Sequence, residues 1–115
     1  MGTPARVIAP EDNPGLIVDS RMDGPAGAIV AADGEVDLET SPMLREALDE
    51  ALRLYARVHV DLRAVTFLDS TGIATLLGVA EVARRSEVEL TLQVSQVVRR
   101  VLELAGVDAT LPLRG

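Results

Sequence analysis

Short apolar or alternating stretches recur in four places along the chain, and this pattern predicts β-strands. Apolar runs at residues 16–18 and 28–32 flank a turn signal at 23–25, which predicts a hairpin whose first strand lies at the edge of a sheet. Alternation of apolar and polar residues at 58–62, and again at 90–94, predicts two further strands.

Three longer stretches repeat apolar residues every three or four positions, and this spacing predicts helices. The first spans about 42–56, and Ser41 is its predicted cap. The second spans about 70–85, and the third begins after the capping residue Ser95 and ends before Gly106, a residue typical of helix C-termini. The positions predicted to face the core are Leu44, Leu48, Leu52 and Tyr55 in the first helix, Ile73, Leu76, Leu77, Ala80 and Ala83 in the second, and Val97, Val98, Val101, Leu102 and Ala105 in the third.

The resulting order is β-β-α-β-α-β-α, followed by a terminal strand stub at 110–113. Strands that alternate with helices of this length indicate an α/β domain with a mixed, mostly parallel sheet packed by the helices. Prolines and glycines are frequent in residues 1–15, so we predict a flexible N-terminal arm there and a single domain over 16–115.

The composition excludes most kinds of catalytic site. The 115 residues include no Cys, no Lys, one His and two aromatic side chains, and the formal net charge is −7. Thiol nucleophiles, cysteine-based zinc sites and lysine-dependent chemistry are therefore excluded. Negative charge and scarce aromatics also argue against nucleic-acid binding. We expect a non-catalytic protein that uses no metal and no cofactor.

The N-terminal sequence carries neither the basic start nor the apolar stretch of a secretory signal. No apolar run along the chain reaches the roughly 18 residues that a membrane span requires. We therefore expect a cytoplasmic protein that does not act in a membrane.

The sequence Asp69-Ser70-Thr71-Gly72 lies where the loop after the third strand becomes the second helix. Backbone N–H groups in a first helical turn are unpaired and carry partial positive charge, so a phosphate is tolerated there. The Ser70 hydroxyl is expected to be exposed, Gly72 to give a partner room to approach, and Phe67 to anchor the loop to the core. A simpler interpretation, in which Asp69, Ser70 and Thr71 only cap the helix, stays open.

Three segments together resemble the STAS domain family, most closely its stand-alone bacterial members, the anti-sigma-factor antagonists or anti-anti-sigma factors. These segments are Gly34-Glu35-Val36-Asp37 before the first helix, the stretch 60–72 that contains the motif above, and the third helix with its C-terminal flank at 95–107. The resemblance covers about residues 16–113 and implies a STAS-like single domain with the element order predicted above.

The resemblance also implies partner switching. Such a protein binds an anti-sigma factor that is itself a serine kinase, and the sigma factor is released to act in transcription. Ser70 matches the serine that the kinase phosphorylates, which abolishes binding until a serine phosphatase restores it, and Asp37 matches an acidic residue that contacts the kinase. The residues expected to bind the partner are Asp37, Asp69, Ser70, Thr71 and Gly72, in a monomer or weak dimer.

Two other functions stay open. A scaffold or sensor subunit of a multi-protein signalling complex or transport system fits the same fold, because fold alone does not decide function. An enzyme fits less well, because Ser70 has no adjacent His, Lys or Cys to activate it. We expect Asp61 to be a structural hydrogen-bonding group and His59 to be an exposed strand residue.

Overall fold

The computed structural model describes residues 15–114, and the sheet within this range has four strands. They are β1 (Leu16–Met22), β2 (Gly27–Val36), β3 (Arg57–Leu68) and β4 (Glu89–Val94), adjacent in that order. β1 pairs antiparallel with β2, whereas β3 pairs parallel with both of its neighbours. The predicted hairpin and the mixed, mostly parallel sheet are confirmed. The predicted arm, apart from its last residue, lies outside the described residues.

Three helices complete the predicted order: α1 (Ser41–Leu54), α2 (Ser70–Ser86) and α3 (Gln96–Leu104). α1 connects β2 to β3, and α2 connects β3 to β4, so both are crossover helices between parallel strands. As a result, the carboxyl ends of β2, β3 and β4 lie at one edge of the sheet. The predicted terminal stub forms a parallel bridge between Leu113 and Leu92, which continues the sheet beyond β4.

One face of the sheet is buried and the other is not. Inward strand residues such as Val30, Val60 and Leu92 are at most 1% exposed and join the apolar faces of the helices in one core. The residues between them, such as Asp61, point to the opposite face and are half-buried or exposed. The sheet therefore leaves its second face open to solvent.

The start of α1 differs from the prediction, because Thr40 and not Ser41 is the residue that precedes the helix. Neither side chain caps α1, since the Thr40 hydroxyl serves the preceding loop instead. It donates to the Glu35 carbonyl at 2.8 Å and accepts from the Asp37 N–H at 2.9 Å. Thr40 is fully buried as a result.

β3 continues six residues past the predicted strand end at 62, because its pairing with β2 carries two register shifts. These shifts interrupt the alternation, and Thr66 and Phe67 are both exposed. The expectation that Phe67 anchors the loop to the core is wrong: its side chain is 46% exposed. Val65 and Leu68, at 1% and 3% exposure, supply that anchor.

The ends of α3 follow the sequence prediction, but its inward face is narrower. The Ser95 hydroxyl accepts from the Val98 N–H at 3.2 Å, and Gly106 adopts φ +76°, so both terminal signals are confirmed. Val98 is fully buried, whereas Val97 and Ala105 are exposed, contrary to prediction. A nine-residue helix resting on one side of the sheet buries only a narrow stripe.

Candidate functional site

The Asp69-Ser70-Thr71-Gly72 motif lies where β2 and β3 end side by side. Val36 and Leu68 are the last paired residues of the two strands, and the Asp69 N–H donates to the Val36 carbonyl at 3.2 Å. The loop that begins with Asp37 and the first turn of α2 therefore leave the same edge of the sheet. This topology brings the two predicted acidic residues, Asp37 and Asp69, to that edge.

Asp69 is the N-cap of α2, as the simpler interpretation of the motif expected. Its Oδ1 accepts from the N–H groups of Thr71 at 2.9 Å and Gly72 at 3.2 Å, and also from the Thr71 hydroxyl. The Thr71 hydroxyl and these N–H groups hold the pKa of the Asp69 carboxyl below its usual value. A cap that is ionised in this way complements the positive end of the helix.

Ser70 is the first residue of α2, and its side chain is exposed. Within residues 15–114 its hydroxyl makes no hydrogen bond, whereas the adjacent Thr71 is half-buried and its hydroxyl is held by Asp69. Of the two neighbouring hydroxyls, only that of Ser70 is therefore exposed and without a hydrogen bond within the described residues. Capping explains the roles of Asp69 and Thr71, but it does not explain the serine.

Gly72 is buried, and internal packing accounts for its lack of a side chain. A Cβ at this position would lie 2.8 Å from Val36 Cγ1 and closer still to Leu68 Cδ1. The first turn of α2 thus packs directly on the ends of β2 and β3. The missing side chain of Gly72 thus faces the core of the domain and not a partner, contrary to the prediction. The glycine allows α2 to begin close to the sheet.

The loop after β2 is held in one shape by its own side chains. Asp37 Oδ1 accepts from the N–H groups of Glu39 and Thr40, both at 3.0 Å, and lies 3.1 Å from the Thr40 hydroxyl oxygen. The Asp37 carbonyl also accepts from the Ser41 N–H at 2.8 Å. Asp37 therefore shapes this loop, and at its tip the side chain of Leu38 is 73% exposed.

Exposed apolar side chains stand at the same edge of the sheet. Leu38 follows β2, Phe67 is the next-to-last residue of β3, and Val97 is the second residue of α3, just after β4; they are 73%, 46% and 51% exposed. We call these three residues the apolar rim. Sequence reasoning missed it, although two adjacent apolar residues at the end of a strand, Phe67 and Leu68, cannot both face one core.

Comparison with known proteins decides the family. A family model described as "Mlab, STAS domain" matches residues 22–114. The chain belongs to the STAS domain family. The anti-sigma F factor antagonist of Paenibacillus polymyxa is 31% identical over 88 residues, covering 74% of this chain and 75% of that protein. The anti-sigma-F factor antagonist RsfB of Mycobacterium tuberculosis is 33% identical over 87 residues, covering 75% and 71%.

The shape of this STAS domain agrees with these sequence relationships. A crystal structure of an anti-sigma factor antagonist from Mycobacterium paratuberculosis superimposes with a TM-score of 0.77 at 28% identity, covering 93% of this chain and 89% of that one. The element order and the mixed sheet predicted from the sequence are thus those of solved STAS domains. The named relatives in this comparison are regulatory proteins.

Two other polar residues of the STAS domain, Asp61 and His59, make structural contacts. Asp61 Oδ1 accepts from the Arg63 N–H and Nε, both at 3.0 Å, and this pairing lowers the pKa of the Asp61 carboxyl to about 2. Asp61 is therefore a structural group, as predicted. His59 is half-buried rather than exposed, because its Nδ1 lies 2.7 Å from the Thr91 hydroxyl.

Residues 15–114 contain neither a cluster of metal-ligating side chains nor a helix that could cross a membrane. Among residues 15–114, no three or more His, Asp or Glu side chains are grouped so that they could hold a metal ion. In the same range, none of the helices combines the length and the apolar character needed to cross a bilayer.

Proposed function

We propose that this STAS domain is an anti-sigma factor antagonist that acts in the cytoplasm and is switched off by phosphorylation of Ser70. Its partner is an anti-sigma factor with serine kinase activity, and a serine phosphatase reverses the modification. The observation that carries the proposal is the free Ser70 hydroxyl, presented at the start of α2 beside a hydroxyl that Asp69 sequesters. The names of the curated relatives supply the class of partner.

The apolar rim gives this edge a reason to bind a protein. Leu38, Phe67 and Val97 expose apolar area where the loops around Ser70 converge, and covering such area is favourable. The acidic side chains of Glu35 and Glu39 are exposed beside it. A partner surface with an apolar centre and basic groups only opposite Glu35 and Glu39, not opposite Ser70, therefore fits this edge best.

Phosphorylation would reverse this preference through charge. A phosphoserine adds about −1.5 to −2 charges, and here it would stand next to the ionised cap Asp69. Ser70 is exposed and its hydroxyl makes no hydrogen bond within residues 15–114, so the fold tolerates the modification, and the positive end of the α2 dipole favours it. A partner that covers the rim must instead bury a dianion, and each like charge that the partner places about 7 Å from a phosphate charge costs roughly 2 kcal/mol at an effective dielectric constant of 20.

The expected change in affinity follows from that estimate. Two such interactions, together with the desolvation of the phosphate, give a differential of roughly 3–5 kcal/mol. This corresponds to two to three decades or more in the dissociation constant. The fold need not rearrange for the switch to work, because the charge acts within the interface.

The test is phosphorylation by the cognate anti-sigma factor with ATP and Mg²⁺, followed by peptide mass mapping. We expect phosphate on Ser70, none in Ser70→Ala, and normal phosphorylation in the matched control Ser86→Ala, since Ser86 is exposed at the opposite end of the same helix. Binding of the anti-sigma factor should survive Ser70→Ala and be lost in Ser70→Asp. Phosphate on a different residue, or equal affinities of the two Ser70 variants, would refute the switch. A stable complex without any phosphorylation would favour a scaffold role.

A further inference from the structure

The outer edge of β1 is an unpartnered strand within the described part of the chain. β1 is the first strand of the sheet and pairs only with β2, in a register that runs without shifts from Leu16 to Met22. Strand edges in folded proteins are often blunted by a proline, a bulge or charged side chains, because open N–H and C=O groups recruit further strands. β1 contains no proline and no bulge, and its two charged side chains are of opposite sign.

The hydrogen bonds at the two ends of the hairpin identify which backbone groups face outward. The Asp23 N–H donates to the Gly27 carbonyl at 2.8 Å, and the Glu35 N–H donates to the Gly15 carbonyl at 2.7 Å. Bonded and non-bonded pairs alternate in an antiparallel ladder, so the odd-numbered residues of β1 bond to β2. The N–H and C=O groups of the even-numbered residues, including Ser20, therefore point to the open edge.

Two exposed charges of opposite sign lie on this strand. Asp19 and Arg21 are two positions apart, so their side chains leave the same face, and neither forms an ion pair within residues 15–114. A strand that lies antiparallel to β1 and carries the same two charges at the same spacing would pair both of them. The chain itself provides such a strand.

We propose that β1 is a homodimerisation edge, on which two copies of this chain pair antiparallel about a two-fold axis at Ser20. In this register Ser20 faces Ser20 of the second copy, Val18 faces Met22, and the outward-pointing backbone groups meet as bonded pairs. Asp19 then faces Arg21 of the second copy in a non-bonded pair, where side chains approach most closely.

Charge selects this register over its neighbours. Shifting the second copy by two residues keeps the backbone groups in phase, but it places Asp19 opposite Asp19 or Arg21 opposite Arg21. Like charges directly opposite each other across strands are destabilising. Of these three registers, only the one centred on Ser20 places opposite charges across from each other. The two-fold axis repeats the contact, so two attractive Asp19–Arg21 pairs form.

Apolar area beside the strand supports the same contact. Met22 and Leu54 are 67% and 63% exposed, and both line a cleft of about 280 Å³ between β1 and α1. A second copy paired along β1 would extend the sheet past this cleft and cover its apolar margin. β1 runs along one side of the sheet, whereas Ser70 lies at the carboxyl ends of the parallel strands. The proposed dimer contact is therefore separate from the proposed switch and does not depend on it.

The test begins with sedimentation equilibrium of the full chain from about 1 µM to about 1 mM. We expect dimer to accumulate within this range, and a monomer throughout would overturn the proposal. Asp19→Arg and Arg21→Asp should each weaken self-association roughly ten- to thirtyfold, because two attractive pairs become repulsive. The matched control for Asp19→Arg is Glu89→Arg, which makes the same charge change at an exposed position of β4 and should leave association unchanged.

Mixing the two single variants provides the decisive measurement. An equimolar mixture of Asp19→Arg and Arg21→Asp should form a heterodimer about as tightly as the wild type self-associates, since opposite charges then face each other again. If the mixture associates no more tightly than either variant alone, the register is wrong.

Ser20→Pro removes an N–H that β2 does not use, so the variant should fold but stay monomeric. A folded Ser20→Pro protein that still dimerises would show that the copies meet elsewhere.

Discussion

Replacing Asp69 by alanine tests the structural role of this residue separately from the proposed role of the Asp69-Ser70-Thr71-Gly72 motif. The substitution removes one acceptor oxygen that the N–H groups of Thr71 and Gly72 and the Thr71 hydroxyl share. Loss of an N-cap side chain costs about 1 kcal/mol, within a range of 0.5–2, and loss of a negative charge at a helix N-terminus adds about 0.3–1 kcal/mol. We therefore expect Asp69→Ala to lower the free energy of unfolding by roughly 1–2 kcal/mol.

Thermal and urea unfolding followed by circular dichroism measure this change. For a domain of this size, 1 kcal/mol shifts the unfolding midpoint by about 4–6 °C. Asp69→Asn is the matched control, because asparagine caps nearly as well as aspartate but carries no charge. Its stability should lie between those of the wild type and Asp69→Ala. A stability of Asp69→Ala equal to that of the wild type would refute the assignment of the cap.

The pH dependence of the same comparison isolates the charge. The pKa of Asp69 is lowered in the folded protein, so ionised Asp69 stabilises the fold above the unfolded pKa of about 3.9. This contribution is lost as the pH falls through the folded pKa. The difference in unfolding free energy between the wild type and Asp69→Asn should therefore be constant near neutral pH and shrink in acid. A difference that stays constant down to the acid limit of folding would contradict this account.

Four other substitutions test the packing and the proposed interface. Gly72→Ala should destabilise the fold by roughly 1–3 kcal/mol, because its Cβ would press on buried side chains, and unchanged urea unfolding would contradict this. Gly78→Ala in the same helix should be neutral or stabilising by up to about 1 kcal/mol, since its Cβ would meet only the mobile end of Arg45; a clear loss of stability would disprove it. Phe67→Ser should hardly change unfolding but weaken anti-sigma factor binding at least about tenfold in titration calorimetry. Leu104→Ser, equally polar and at the far end of α3, should bind normally, and equal losses in both variants would argue against the apolar rim.

Periodicity was sufficient to predict the element order, because apolar residues recur every second position in most strands and every third or fourth position in the helices of this chain. It failed where two register shifts bring residues 64–68 of β3 alongside β2. A shifted strand presents consecutive residues such as Thr66 and Phe67 to solvent, so its pattern resembles a loop. No local signal in the sequence states that a neighbouring strand will continue to pair there.

The candidate site was predictable to the level of its residues but not of their separate tasks. Asp69, Ser70 and Thr71 could be placed at a helix start from the sequence alone. The sequence did not indicate that the Thr71 hydroxyl would donate a hydrogen bond to Asp69. Nor did it indicate that the Thr40 hydroxyl would donate to the Glu35 carbonyl instead of capping α1. Such choices depend on how closely two strands end beside each other, which is a property of the folded sheet.

The free hydroxyl of Ser70 has a consequence for how this protein can evolve. Its neighbours Asp69 and Gly72 are committed to the cap and the packing of α2, so changing either of them alters folding as well. Ser70 contributes no side-chain hydrogen bond to the described fold, and a mutation there leaves the scaffold intact. Under the proposed switch, a single nucleotide change at Ser70 would therefore alter the response to a kinase without destabilising the domain, which would let selection act on the regulation alone.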